Sequence, residues 1–459
     1  MKKLPLILVL IILVAIAILP IIGNKFMQNK IQDEITLLSS HGLKLQKVET
    51  NESYLSTSKH FEFILEDSSE MMQLLNSYAQ YQTSPYDNKL LNGFLIGLDV
   101  EYSNIPFAKT IDFDIYPLVM SKQMQTNMKA EDVKFYEQFS EFLQNKGLVY
   151  HVEYNLINND FKGYIKDIQE NYKLQNGSVL EMNLSAATFS GHGELINPES
   201  MKSKIKALHF KASEGNTSVV VALENFTASN TFRSYSEYKS ELGANEFSFI
   251  IKGTDEDVSM IFHDFETKSS SSVKKDLVSV ASKASLQSVD IASQKVTFSL
   301  KKLHNVVKIS GLDKASFEEF VSLVASADNL NILGAQKHTQ DLLTKLLSKG
   351  FIIDIKDFSL KNFVLNTHED LKGFEIQAKM KIKEDTELAQ KLQISPLLFL
   401  SNIELNSKVK LSKAMYKKLL LTSPMANSIT SYAKEKNDEV VFDIEFENGA
   451  FSVNGKPIQ

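Results

Sequence analysis

Asp112 and Asp114 sit two residues apart in a stretch where apolar and polar residues alternate, so both carboxylates share one face of a strand. Two carboxylates so placed could hold a divalent cation or divide the work of a general acid and a general base. The same alternation offers a simpler reading. Ile111, Phe113 and Ile115 form the opposite, apolar face, which leaves the aspartates facing water. Asp255, Glu256 and Asp257 lack the Asp-x-Asp-x-Asp-Gly spacing of a calcium loop and suit the first turn of a short helix.

The nine histidines (His41, His60, His151, His192, His209, His263, His304, His338 and His368) form neither an H-E-x-x-H motif nor an H-x-H pair. His192, before Glu194, and His368, beside Glu369 and Asp370, lie near carboxylates in sequence, and both read as exposed loop residues. There is no cysteine, which removes disulfides, thiolate metal sites and cysteine nucleophiles. No glycine-flanked serine elbow, phosphate-binding loop or dinucleotide fingerprint occurs. No catalytic, cofactor-binding or metal-binding residue is assigned, and the chain is read as a non-enzyme without a cofactor.

The elements that would have to position such chemistry are mostly strands. Leu180, Met182, Leu184 and Ala186 alternate with Glu181, Asn183 and Ser185. Val296, Phe298 and Leu300 alternate with Thr297, Ser299 and Lys301, and Phe374, Ile376, Ala378, Met380 and Ile382 alternate with charged or amide residues. One wet face and one apolar face is the mark of antiparallel sheet.

Helices are fewer. Phe135, Tyr136, Phe139, Phe142 and Leu143 share one helical face before Gly147, and Leu342, Leu343, Leu346 and Leu347 share another before Gly350. Ser316 and Glu319 have the spacing of a capping box. Other helices are expected over Met27 to Leu38, Glu70 to Ala79 and Ala414 to Leu421. The fold class is therefore α+β: extended antiparallel sheets with segregated amphipathic helices, preceded by one N-terminal transmembrane helix.

That last element rests on Leu4 to Gly23, twenty residues without a charged or polar side chain, preceded by Lys2 and Lys3. Such a run is long enough to span a bilayer's hydrocarbon core of ~30 Å. It continues past Ala15-Ile16-Ala17, so an uncleaved signal anchor is expected over 1–23 with the body exported. The charge balance of 50 basic and 56 acidic residues, net -6, gives no attraction to nucleic acid. Arg233 is the only arginine, so bidentate recognition of phosphate or carboxylate is nearly absent. The polar run Lys268 to Ser272 suggests a soft boundary between regions 24–267 and 268–459.

At the C-terminus, Val440, Phe442, Ile444 and Phe446 alternate with Val441, Asp443, Glu445 and Glu447, and Asn448-Gly449 offers a type I′ turn. That turn sets Phe446 opposite Phe451 and Ile444 opposite Val453. Both phenyl rings are then expected in the core, while Asn454 and Lys456, just past the strand, are expected to tolerate alanine if turn-making is their only job.

The closing segment from Asn448 to Ile458 resembles the C-terminal signature of the YdgA-like family of bacterial proteins. Leu346 to Leu360, a helix, glycine and strand, is similar to another of its blocks, and Gly42 to Leu65 resembles its N-terminal block, with Asn51 to Ser56 departing from the usual aromatic motif. The resemblance implies a single-pass protein of the bacterial inner membrane with a periplasmic body, and it implies no chemistry. The leading expectation is a non-catalytic binding or scaffolding role toward envelope proteins. The alternative is binding or transfer of a lipid or other hydrophobic ligand, for which the 29 phenylalanines and one-sided strands are suited. A homo-oligomer is compatible with either.

Overall fold

The computed structural model describes residues 4–79, 88–105, 110–195, 198–253, 257–294, 296–326, 332–365, 369–422 and 430–458; side chains before Pro20 and in parts of several helix ends fall outside that description. The chain forms two compact units, Met1–Gly215 and Asn216–Gln459. The polar run 268–272 lies inside a strand paired on both sides, so the division falls at Gly215 rather than at the serine run.

The first unit opens with helix α1 (Leu4–Ser39), followed by β1 (Leu43–Glu52), β2 (Ser56–Leu65), α2 (Ser68–Ala79), β3 (Leu95–Ser103) and β4 (Thr110–Val119). Helices α3 (Lys122–Glu131) and α4 (Val133–Gln144) then lead to β5 (Tyr150–Asn155), β6 (Asp160–Ile165), β7 (Ile168–Lys173), β8 (Val179–Ser185), β9 (Ala187–Gly193) and β10 (Pro198–Glu214). Every pairing is antiparallel and joins sequence neighbours, once two interruptions are recognised. β6 and β7 pair with β9 and β8 in one unbroken register, as do β9 and β8 with β10. Each split pair is a single long strand bent once, at Lys166-Asp167 and at Ala186.

Met27 and Ile35 of α1 pack with Phe61, Phe63, Val100, Tyr102 and Ile111 in the core of this unit. The expected helix 27–38 and the apolar run 4–23 are thus one continuous helix. Among the described residues no helix is long and apolar enough to cross a membrane. α4 uses the expected stripe, with Phe142 and Leu143 buried beside Met120 and Ile168.

The second unit begins with five long strands, β11 (Thr217–Ser234), β12 (Glu237–Lys252), β13 (Val258–Lys274), β14 (Leu277–Ser293) and β15 (Thr297–Asp313). Helices α5 (Lys314–Ser326) and α6 (Ile332–Ser348) follow, then β16 (Phe351–Leu365), β17 (Glu369–Ile382), α7 (Leu388–Ile394) and β18 (Ile403–Ser412). The unit closes with α8 (Lys413–Thr422), β19 (Lys434–Lys436), β20 (Glu439–Glu447), β21 (Ala450–Val453) and β22 (Lys456–Pro457). β11 to β18 pair in chain order, and β20 adds to β18.

Three local expectations need correction. The cap of α5 is Asp313, whose Oδ1 accepts from the Ser316 backbone N–H at 3.0 Å and hydroxyl at 2.7 Å, while Glu319 pairs with Lys345. Ser316 therefore sits within the first turn, because the carboxylate three residues earlier outcompetes its hydroxyl for the free N–H groups. Asp257 lies just ahead of β13, not in a helix, and accepts from the Gly253 N–H at 3.1 Å; Asp255 and Glu256 fall outside the described residues. At the C-terminus Phe446 does face Phe451, with ring centroids 6.3 Å apart, but Phe451 is 36% exposed. β21 is too short to be covered on both faces.

The link between β17 and β18 is held by Asp385. Its carboxylate accepts from Asn402 Nδ2 at 2.6 Å, Lys391 Nζ at 2.8 Å and the Glu387 N–H at 3.0 Å. The bonds from Asn402 and Lys391 hold this carboxyl down at about 2. A depressed value in the folded state stabilises it above the ordinary aspartate pKa of ~3.9, and that contribution is lost as the pH falls toward 2. Hydrogen exchange over residues 388–402 should therefore accelerate across that window, and Asp385→Asn should remove the pH dependence.

Candidate functional site

Across the first unit the register lines up Glu49, His60, Asp99, Asp114, His151 and Tyr164 in one row over six strands. His60 Nδ1 and Asp99 Oδ1 are 2.7 Å apart, and His60 Nε2 lies 3.2 Å from Glu62 Oε1. Asp99 also accepts from the Tyr116 hydroxyl at 3.0 Å and from Lys146 Nζ at 2.6 Å. Burial pushes the Asp99 carboxyl up, and the bonds from Lys146, His60 and Tyr116 outweigh it, leaving it below the ordinary range.

His151 Nδ1 meets Asp114 Oδ1 at 2.7 Å, and its ring stacks on Tyr164. Asp112 does share the face of Asp114, as the alternation required, but both are half-buried rather than free in water. Burial and the charge of Glu153, directly opposite, push the Asp112 carboxyl up. Among the described residues no three histidine or acidic side chains are arranged to hold a metal ion. In the His60 cluster both ring nitrogens are paired with carboxylates, so His60 ties its strand to the neighbouring one.

The same cross-strand pairing recurs. His192 and Asp160 are opposite each other at 2.9 Å, His263 lies 3.7 Å from Glu246, and His304 meets Asp357 at 2.6 Å. His192 is thus a strand residue rather than a loop residue, and His304, with no acidic neighbour in sequence, has one across the sheet. His368 falls outside the described residues.

The second unit carries a different feature. Asn225, Asn245, Asp264, Gln287, Lys302, Lys361 and Gly373 fall on one line across seven strands, between pairs whose register is the same on both sides. Asn225, Asp264 and Lys302, in every second strand, have φ of 50°, 47° and 57°. Left-handed backbone repeated on one row turns the pleat over along a crease, much as a β-bulge does in a single strand. A trough of about 890 Å³ follows the crease, lined by Asn225, Asn245, Asp264, Gln287 and Lys302 among others.

The apolar pattern changes phase at this line in every strand. Leu223 and Phe226, Phe247 and Ala244, Phe262 and Phe265, Val289 and Leu286, Leu300 and Leu303, Phe363 and Leu360, and Leu371 and Phe374 are each three residues apart, spanning the crease. On the β11 N-terminal side, two apolar rows run across the sheet, one over six strands and one over seven. One is Val221, Phe249, Met260, Ile291, Phe298 and Leu365; the other is Leu223, Phe247, Phe262, Val289, Leu300, Phe363 and Leu371.

Of those side chains only Val289 and Leu371 are buried; the others are half-buried, and Phe247 is exposed. The helices of this unit pack elsewhere. α5 and α6 join Val278, Leu312 and Leu346, and α8 places Tyr416 on Val440 and Phe442. No buried cluster among the described residues contains a side chain of the two rows. Single strand patterns announced an apolar face, but its width and lack of cover needed the register.

No curated protein and no solved structure matches this chain. Over residues 1–459 the chain matches the family described as bacterial protein of unknown function, DUF945, and it belongs to that family.

Proposed function

We propose that this protein is a non-catalytic, membrane-anchored binding protein of the bacterial envelope, and that it holds an elongated apolar ligand of the acyl-chain class along the two apolar rows of β11–β17. The observation that carries this reading is the pair of adjacent rows, one six and the other seven strands wide, with only Val289 and Leu371 buried. At a strand spacing of ~4.8 Å, seven strands give an apolar track of ~29 Å. An uncovered apolar surface of that extent is costly in water and marks a binding face. Hydrogen-bonding groups are absent from the rows, which suits a hydrocarbon chain better than a peptide.

The His60 clasp supports the non-catalytic part of the reading, since both of its ring nitrogens are paired with carboxylates. The YdgA-like resemblance and the apolar run Leu4 to Gly23 support anchoring in the inner membrane with the body in the periplasm. The open rows favour a lipid over the protein partners of a scaffold.

The full chain, purified in detergent, should bind a fluorescent fatty-acid analogue. Phe249→Glu with Met260→Glu should abolish that binding with little change in the melt, whereas Ser259→Glu, on the opposite face, should leave it intact. Equal binding by the parent and the double variant would overturn the reading.

A further inference from the structure

Four hairpin connections lie at one end of the first unit's sheet. They join β1 to β2, β3 to β4, β5 to β6 and β9 to β10, just beyond a row that runs through Glu52, Thr57, Tyr102, Ile111, Tyr154, Phe161 and Gly191. Turns are ordinarily polar. Here each one presents large apolar side chains to solvent: Tyr54 (56% exposed) and Leu55 (54%), Ile105 (48%), Ile157 (63%) and Leu195 (41%). At the other end of the sheet, the β7–β8 turn is Gln175, Asn176 and Gly177.

Helix α1 reaches the sheet's edge at this same apolar end. Asn24 Oδ1 accepts from the Tyr102 hydroxyl at 2.9 Å and from the Thr57 hydroxyl at 3.4 Å, both groups belonging to the row just named. From there Met27, Ile31, Ile35 and Leu38 follow the core toward Gly42 at the opposite end, where the Gly42 carbonyl accepts from the Glu66 N–H. N-terminal to Asn24 the same helix carries the uncharged run Leu4 to Gly23. The apolar tips therefore lie at the end of the sheet where Asn24, which borders the apolar run, is held.

We infer that this end of the first unit is seated on the bilayer, with Tyr54, Leu55, Ile105, Ile157 and Leu195 entering the interface between headgroups and acyl chains. The inference rests on the membrane-anchor reading of Leu4 to Gly23. Several polar groups of the β1–β2, β3–β4 and β5–β6 turns are already paired, which suits them to a region poor in water. The Ser53 N–H and hydroxyl both donate to the Ser56 carbonyl, Asn104 Nδ2 donates to the Ser53 carbonyl, and Asn155 Oδ1 accepts from the Ile157 N–H. Tyrosine with aliphatic neighbours is the composition of such an interface.

The chain has no tryptophan, so a single introduced one reports its own surroundings. Leu55→Trp, Ile157→Trp and Asn176→Trp would each be made in the full chain and reconstituted into vesicles of phosphatidylcholine and phosphatidylglycerol. The first two should show blue-shifted emission and quenching by brominated acyl chains. Asn176→Trp should emit as a water-exposed indole and respond only to aqueous quencher. Protein that floats with the vesicles while both tip tryptophans stay in water would overturn the seating but not the anchor. Protein that does not float at all would overturn both.

Discussion

Asn454→Ala should destabilise the end of the second unit's sheet by about 2–4 kcal/mol, the sum expected when several backbone groups lose a partner at once. Its Oδ1 accepts from the Asp443 N–H at 2.9 Å, and its Nδ2 donates to the Tyr432 carbonyl at 2.6 Å and the Val441 carbonyl at 2.9 Å. The residue also has φ of 52°, a conformation asparagine tolerates better than alanine. One side chain thus ties β20, β21 and the segment before β19. The condition under which Asn454 is expected to tolerate alanine does not hold, because its side chain reaches back to the sheet as well as sitting in a turn. Phe451→Ala, by contrast, should cost about 1 kcal/mol, well below a full core truncation, since its ring is already 36% exposed. Denaturant midpoints of the two variants decide the order. If Phe451→Ala proved the more damaging, the role assigned to Asn454 would be wrong.

The second large effect is expected at Gly373. This glycine lies on the crease between the pairs Leu360↔Phe374 and Asn362↔Lys372, and a Cβ placed on it would overlap the Leu360 carbonyl. The obstacle is backbone in the neighbouring strand, which cannot rotate away as a side chain could. Gly373→Ala should cost about 3 kcal/mol, at the upper end of overpacking penalties. It should also open the ladder between β16 and β17, read as faster amide exchange at residues 358–362. Gly243 offers a control on the same sheet. Its nearest neighbour would be 3.2 Å from an added Cβ, so Gly243→Ala should be milder.

Much of the fold was legible in single segments. Alternation located β8, β17 and β20, and the stripe of Phe142 and Leu143 located α4. The Asn448-Gly449 turn placed Phe446 opposite Phe451. What one segment cannot express is which residue stands across from it. Asp99 and His60 are far apart in the chain, and nothing local to either signals that they share a clasp. The crease was hidden for the same reason. An apolar spacing of three within one strand, such as Leu300 to Leu303, looks like a lapse in the alternation. It gains meaning only when the neighbours lapse at the same row.

β11 to β17 make each pairing with the strand next in the chain. Such an array has nearest-neighbour energetics, as solenoids of stacked repeats do, and its contacts stay short-range along the chain. Growth by whole hairpins is then the natural mode of variation. Because strand direction alternates, two added strands would restore the direction at the edge, carry the phase change forward by two more steps and lengthen the apolar track by ~10 Å. Removing one strand would reverse the edge direction and break the sequence of turns. Relatives of different length should therefore differ here by even numbers of strands, and the length of the apolar track should scale with that number.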